Sequence, residues 1–352
     1  MALDLTLALP IMVPRAEDDA QRRLQDRALD EWQSLGVLDP LDPVFGGAPL
    51  RLRVGGDPAD EPLLRGLWQP PVPSRRYRLL VLETDGRACL ESIRGEASPE
   101  AVAALSEQEL LRWSEQDALA CLRLEANTAL MLANIVRPGA LSAAAGHAFA
   151  GGRRVEGAAP FFAEHLFWAH QASRAAGWPR LSPPEFRPAW EWLRASGALK
   201  DGIGRGPLGR ALAAVSHLTT ASLEENSSID LVWILMGLEA LYARGREGLS
   251  DQLLGKTEAL LGRREQNRKA FSAAYNFRSR LLHGDVDLPL RFTEFGGVKP
   301  SEDFYASLIK NTDLALAVLL ATLQWMISHG VRELDFEYAF KAAGRDVPPR
   351  GG

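Results

Sequence analysis

Beyond Gly206 the chain is a succession of helix-length apolar patterns separated by short breaks: Pro207–Glu224, Ile229–Ala243, Leu249–Leu261, Arg263–His283 and Ser301–Ser328. A run of this kind has one compact solution, a helical bundle whose apolar faces cover one another. Ser227 and Ser228 stand where an N-cap is wanted, with Asp230 in the following turn to meet the helix dipole, and Ser301 with Glu302 and Asp303 repeats the pattern.

The first 205 residues have a different texture. Proline and glycine cluster at Asp39–Pro49, Gly55–Pro62, Pro70–Pro73, Arg137–Pro160, Pro179–Pro188 and Gly202–Gly209. Short strand patterns lie between them at Leu50–Val54, Tyr77–Glu83 and Arg87–Ile93, the last two flanking Asp85-Gly86 as a hairpin turn. Helical patterns occupy Asp18–Leu35 and part of Ser98–Asn134. The expected fold is therefore mainly α: a C-terminal helical bundle over 206–352, preceded by an α+β N-terminal domain over 1–205.

With 46% hydrophobic and 24% charged residues and a net charge of −5, the composition is that of an ordinary globular protein, which excludes collagen-like and disordered readings. Two cysteines, Cys89 and Cys121, make neither a disulfide framework nor a thiolate metal site. The apolar stretches Leu231–Ala243 and Leu314–Ile327 fall short of the roughly 20 residues of a bilayer span. The N-terminus lacks a positively charged start, and Asp4 has the wrong sign for a secretory signal, so the expected location is cytoplasmic with no membrane partner.

The mild acidity hides a local contrast. Lys256, Arg263, Arg264, Arg268, Lys269, Arg278 and Arg280 lie within 25 residues, opposed only by Glu258 and Glu265. At 100° per residue, Phe271, Ala274, Tyr275, Arg278 and Leu282 share one stripe of their helix, which puts a guanidinium in the middle of a core-facing row. Glu239 is equally out of place, sharing a stripe with Val232, Leu235 and Met236 on a helix apolar almost all round. Unpaired charges do not survive in such positions, so the two invite pairing, either as a structural ion pair or as part of a site. His283 lies roughly 140° round the helix from Arg278, and Gly284 marks the helix end.

Other constellations are weaker. His165 and His170 in the aromatic stretch 161–170 are five apart, not the four that aligns zinc ligands on a helix face, and read as a packed amphipathic helix. Arg210 and His217 read as structure of the first bundle helix. Gly202-Ile-Gly-Arg-Gly206 lacks the lysine of a phosphate loop. No metal site and no cofactor is expected.

The motif Arg278-Ser279-x-x-x-His283-Gly284 resembles the Arg-polar-x3-His signature of HEPN ribonucleases. The apolar helix from Ile229 to Tyr242, with its Leu238-Glu239-Ala240-Leu241, and the Tyr275-x-x-Arg278-Ser279 element resemble the Apea-like branch of that superfamily. The likeness covers about residues 206–330. It implies a homodimeric bundle that cuts RNA without a metal at a composite cleft. There His283 would serve as general base or acid, Arg278 would stabilise the scissile phosphate, Ser279 would fill the polar position and Glu239 would orient Arg278. Arg280, Arg268 and Lys269 would hold flanking phosphates. A role in prokaryotic defence or as a toxin, with a partner or trigger acting on the N-terminal domain, follows from the resemblance alone. The alternative is a HEPN-like bundle without catalysis, serving dimerisation or interaction.

Overall fold

The computed structural model describes residues 4–15, 18–41, 45, 47–87, 91, 95, 98, 106–220, 228–245, 248–262, 265–286 and 302–336. The protein is mainly α with an α+β region. A six-stranded antiparallel sheet is ordered β2-β3-β4-β1-β5-β6, with β1 Asp4–Met12, β2 Val37–Leu38, β3 Leu50–Gly55, β4 Tyr77–Asp85, β5 Gly146–Ala150 and β6 Arg153–Ala158. Among the described residues the helices are α1 Asp19–Leu35, α2 Glu107–Val136, α3 Glu164–Ala176, α4 Phe186–Ser196, α5 Gly206–Thr220, α6 Ser228–Tyr242, α7 Leu249–Leu261, α8 Glu265–His283 and α9 Glu302–Ser328.

The N-terminal segment is the central strand. β1 pairs along its whole length with β4, from Asp4↔Asp85 to Met12↔Tyr77, and on its other edge with β5 from Leu5↔Ala150 to Ala8↔His147. Alternation splits its side chains: Leu5, Leu7, Leu9 and Ile11 join the main core, while Ala8 packs with Leu79, Val81 and Phe149 in a smaller cluster on the opposite face. Both faces are covered, so the strand reads as nearly continuous apolar sequence. Pro10 is tolerated because the β5 ladder has ended at Ala8.

The expected hairpin at Asp85-Gly86 does not form. β4 pairs with β1 and β3, and of the second strand expected over 87–93 the described residues Arg87 and Glu91 are helical. At the turn Asp85 Oδ1 accepts from the Arg87 N–H at 3.0 Å, an Asx contact that leads the chain from β4 to the helical Arg87. That hydrogen bond also holds the Asp85 carboxyl below the usual carboxylate range. The helix starts expected at Ser227 and Ser301 lie outside the described residues.

α2 opens on a capping box between Ser106 and Glu109. Among the described helices it alone is long and apolar enough to cross a bilayer, over Gln108–Val136, and 72% of its apolar window is buried in the fold. The sequence masks its length because charged residues such as Asp117, Arg123 and Glu125 interrupt the apolar positions. At its end the buried Asn134 pins the chain: Nδ2 donates to Leu130 O at 2.8 Å and Leu141 O at 2.9 Å, and Oδ1 accepts from Leu141 N at 3.0 Å. Asn134→Ala strands the buried amide and carbonyl of Leu141 and lowers stability by about 2–3 kcal/mol, measurable as a shift of the urea midpoint.

α5 begins at Gly206, and one hydrophobic core holds residues from both sides of that point. Gln324 Nε2 of α9 donates to Ile135 O at 2.8 Å, and Trp178 Nε1 donates to Gly262 O at 3.0 Å. α9 is the axis of this core, with Ala315 to Leu320 and Leu323 all buried. Asp313, on the same helix, sits in surroundings whose burial pushes its carboxyl up to about 7. Because the folded protein binds that proton more tightly than the unfolded chain, Asp313 costs stability progressively as pH rises from about 4 to 7. Asp313→Asn is therefore expected to raise the melting temperature at pH 8 and to leave it unchanged near pH 4, a difference on the order of 2 kcal/mol.

Candidate functional site

The site is built on two crossing helices. α6 is apolar on nearly all sides, with Leu231, Ile234, Leu235, Leu238 and Leu241 buried. Its approach to α5 is close because residue 237 is glycine: a Cβ there would meet Ala214 Cβ at 3.1 Å. Its last residue is locked by Tyr242 Oη against Thr322 Oγ1 of α9 at 2.7 Å, and burial raises the Tyr242 phenol far above its ordinary value. One turn earlier stands Glu239, the single charge between Leu231 and Ala243.

α8 presents Phe271 and Ala274 to the core, followed by Tyr275 and Arg278 at the point where it faces α6. Glu239 and Arg278 meet: Nη1 lies 3.4 Å from Oε1, and Nη2 donates to Oε2 at 3.5 Å. Each side chain is only 18% exposed. Tyr275 completes the cluster, with its hydroxyl donating to Glu239 Oε1 at 3.0 Å and the Arg278 guanidinium carbon 5.7 Å from the centre of its ring. Burial first, then the Glu239 charge, pushes the Tyr275 phenol up, so it remains a donor at neutral pH. Arg278 Nε is buried with no partner among the described residues. A carboxylate held by a tyrosine and facing a guanidinium fixes that guanidinium in one orientation, which is what recognition of a phosphate requires.

Two members of the expected stripes lie elsewhere. Leu282 is 53% exposed and Met236 46%, so neither joins the core. His283 is the last residue of α8 and is exposed. Gly284, at φ 77°, ends the helix, with Asp285 N donating to Arg280 O at 2.8 Å and Arg280 Nη2 to Asp285 O at 3.2 Å. Within one chain Arg278 is thus turned inward to Glu239 while His283 stands in solvent, about 140° round and roughly 7.5 Å further along the axis. Ser279 is half-buried, and Arg280 and Lys269 are exposed. Arg268 lies on α8, but its side chain is outside the described residues.

The basic run is less uniform than its sequence. Lys256 is buried, donating to Tyr242 O at 2.6 Å and Gln252 Oε1 at 3.1 Å, so it satisfies the C-terminal end of α6 and is not free for a ligand. Arg263 and Arg264 lie outside the described residues. His217 stacks on Trp233 of α6 with ring centres 4.2 Å apart. His165 is buried, its Nε2 3.9 Å from Asp230 Oδ2, and burial lowers its basicity. Among the described residues no three His, Cys, Asp or Glu side chains converge as metal ligands.

Tyr275 is the member of the cluster that helical pattern alone does not single out as a hydrogen-bond donor; its i, i+3 relation to Arg278 is the signal that carries it. Comparison with protein-family models, with curated proteins and with solved structures finds no match to this chain.

Proposed function

We propose that this protein is an endoribonuclease of the HEPN type, with a composite Arg278/His283 site completed by a second copy of the chain. The observation that carries the reading is the Tyr275–Glu239–Arg278 cluster, an oriented guanidinium at a helix crossing, with a solvent-exposed histidine ending the same helix. In the reaction His283 withdraws the proton of a ribose 2′-hydroxyl, and the 2′-oxygen attacks the adjacent phosphorus. The bond to the 5′-oxygen breaks, that oxygen takes a proton from solvent, and a 2′,3′-cyclic phosphate and a 5′-hydroxyl result. Arg278 meets the charge that develops on the phosphate, Glu239 and Tyr275 hold it in place, and Ser279 supplies the polar neighbour. Arg280, Lys269 and Arg268 engage flanking phosphates. Dependence on the 2′-hydroxyl restricts the substrate to RNA.

A second reading, a dimerisation module without catalysis, has an observation of its own. Arg278 and Glu239 pair within a single chain and are mostly buried, as a bundle-stabilising ion pair would be. The two readings separate in an RNA cleavage assay run in EDTA with end-group analysis. Wild type is expected to leave cyclic phosphate ends, and His283→Ala to cut at least about 100-fold more slowly. Because His283 is exposed, that variant keeps its melting temperature. Equal cleavage by wild type and His283→Ala would leave the module as the surviving reading.

A further inference from the structure

A cavity of about 200 Å3 opens beside the sheet, between the end of β1, the start of α1, the loop after α2 and the first turn of α3. Its charged lining is mixed: Glu164, Asp18 and Arg75 face it, alongside the apolar Met12, Phe167 and Trp168. None of these residues belongs to the Glu239–Arg278 cluster.

The charges are not used against one another. Arg75 is near enough to favour the ionised form of Glu164 but forms no ion pair with it. The nearby Ala163 N–H is spent on Ser142 Oγ at 3.0 Å, and Glu164 Oε2 is buried without a hydrogen-bond partner among the described residues. A buried carboxylate oxygen lacking a donor is costly, and burial accordingly raises the Glu164 carboxyl above its ordinary range. A guanidinium and a carboxylate that share a cavity yet stay apart leave room for a molecule with a charge of each sign. The apolar wall adds a third requirement, a hydrocarbon body, and Trp168, 50% exposed, offers a face for it. Size sets the upper limit, because the volume lies below the roughly 300–1,000 Å3 of pockets for drug-sized ligands.

We infer that this cavity binds a small zwitterion with an apolar tail, the chemistry of a free α-amino acid. Arg75 receives the carboxylate, Glu164 with Asp18 receives the ammonium, and Met12, Phe167 and Trp168 cover the side chain. The site gives the sheet-bearing part of the chain a ligand of its own, whose binding is read without RNA.

Isothermal titration of the full chain with L-leucine, L-methionine and L-phenylalanine tests it, beside 3-methylbutylamine and 4-methylpentanoate, which are leucine without its carboxylate and without its ammonium. At least one amino acid is expected to saturate one site per chain with a Kd below about 1 mM, and both leucine fragments to bind at least about tenfold more weakly than leucine. Arg75→Gln weakens the amino acid about tenfold and leaves the amine unaffected; Glu164→Gln weakens it similarly and leaves the carboxylate unaffected. Absence of saturable binding by all three amino acids up to about 10 mM overturns the inference, as does an amine that binds as tightly as leucine. Amino-acid binding unchanged in both variants overturns it equally. Should a variant fail to fold, the comparison of leucine with its two fragments on the wild-type chain decides by itself.

Discussion

Gly139→Ala is expected to destabilise the protein by about 4 kcal/mol, a large share of the roughly 5–15 kcal/mol that holds a domain folded. Two effects add. Gly139 has φ 77°, a conformation that costs a residue with a Cβ about 1–2 kcal/mol. A Cβ there would also overlap the Cβ of Phe167 and stand 2.6 Å from its Cα and 2.9 Å from its N. Two of those atoms are backbone of α3, so no rotamer change relieves the clash; the helix itself must move, at a further 1–3 kcal/mol or roughly so. Gly197→Ala provides the control. Gly197 has φ 62° and nothing within 4 Å of the position a Cβ would take. It should therefore cost only the conformational part, about 1 kcal/mol. Chemical denaturation of both variants separates the terms, and equal losses would show that the approach of the loop to α3 is not rigid.

This close approach is one of the features that the residues do not announce. Ala133 to Gly139 reads as a helix end followed by turn formers, and nothing in that string says that α3 lies against the glycine. β5 and β6 fall in a stretch whose glycines imply turns. Yet Gly146 is a strand residue, and it is a glycine because a Cβ there would overlap the Ala8 carbonyl oxygen and stand 2.7 Å from Leu9 Cδ2. β1 escapes pattern reading for the opposite reason: with both faces covered it has no alternation to display. The C-terminal helices are legible in order and place, and Leu249–Leu261 to the residue, since each buries one or more stripes in the core; the expected bounds Glu224, Arg263 and Ser301 lie outside the described residues. The Glu239–Arg278 contact is legible for a sharper reason. One acid and one base placed in otherwise apolar surfaces have few places to go, and packing α6 against α8, with α7 between them in the chain, brings them together. What the helical wheel cannot supply is which of its positions a neighbour covers, and here Leu282 and His283 are left exposed.

That separation of Arg278 from His283 yields the second large effect. If each cleft takes Arg278 from one protomer and His283 from its partner, Arg278→Ala and His283→Ala homodimers are both inactive, each losing at least about 100-fold in rate. Mixing the two variants then restores cleavage. In a mixed dimer one cleft lacks both groups, while the other receives Arg278 from the His283→Ala chain and His283 from the Arg278→Ala chain. After free exchange of equal amounts, half the dimers are mixed and each has one working cleft of two, so activity returns to about a quarter of the wild-type value. A cleft built within one chain behaves otherwise, because every cleft in every dimer then lacks one group and mixing restores nothing. Glu239→Gln adds an internal check. Loss of the carboxylate frees Arg278 from its anchor and leaves Tyr275 with a weaker acceptor, so the rate should fall in any pairing where Arg278 and Glu239 stand on the same protomer. A His283→Ala chain that also carries Glu239→Gln should therefore complement poorly. The same Glu239→Gln change placed on the Arg278→Ala chain should have no effect on complementation, since that chain contributes only its histidine. The opposite assignment would show that Glu239 serves His283, and the anchoring role proposed for it would be wrong.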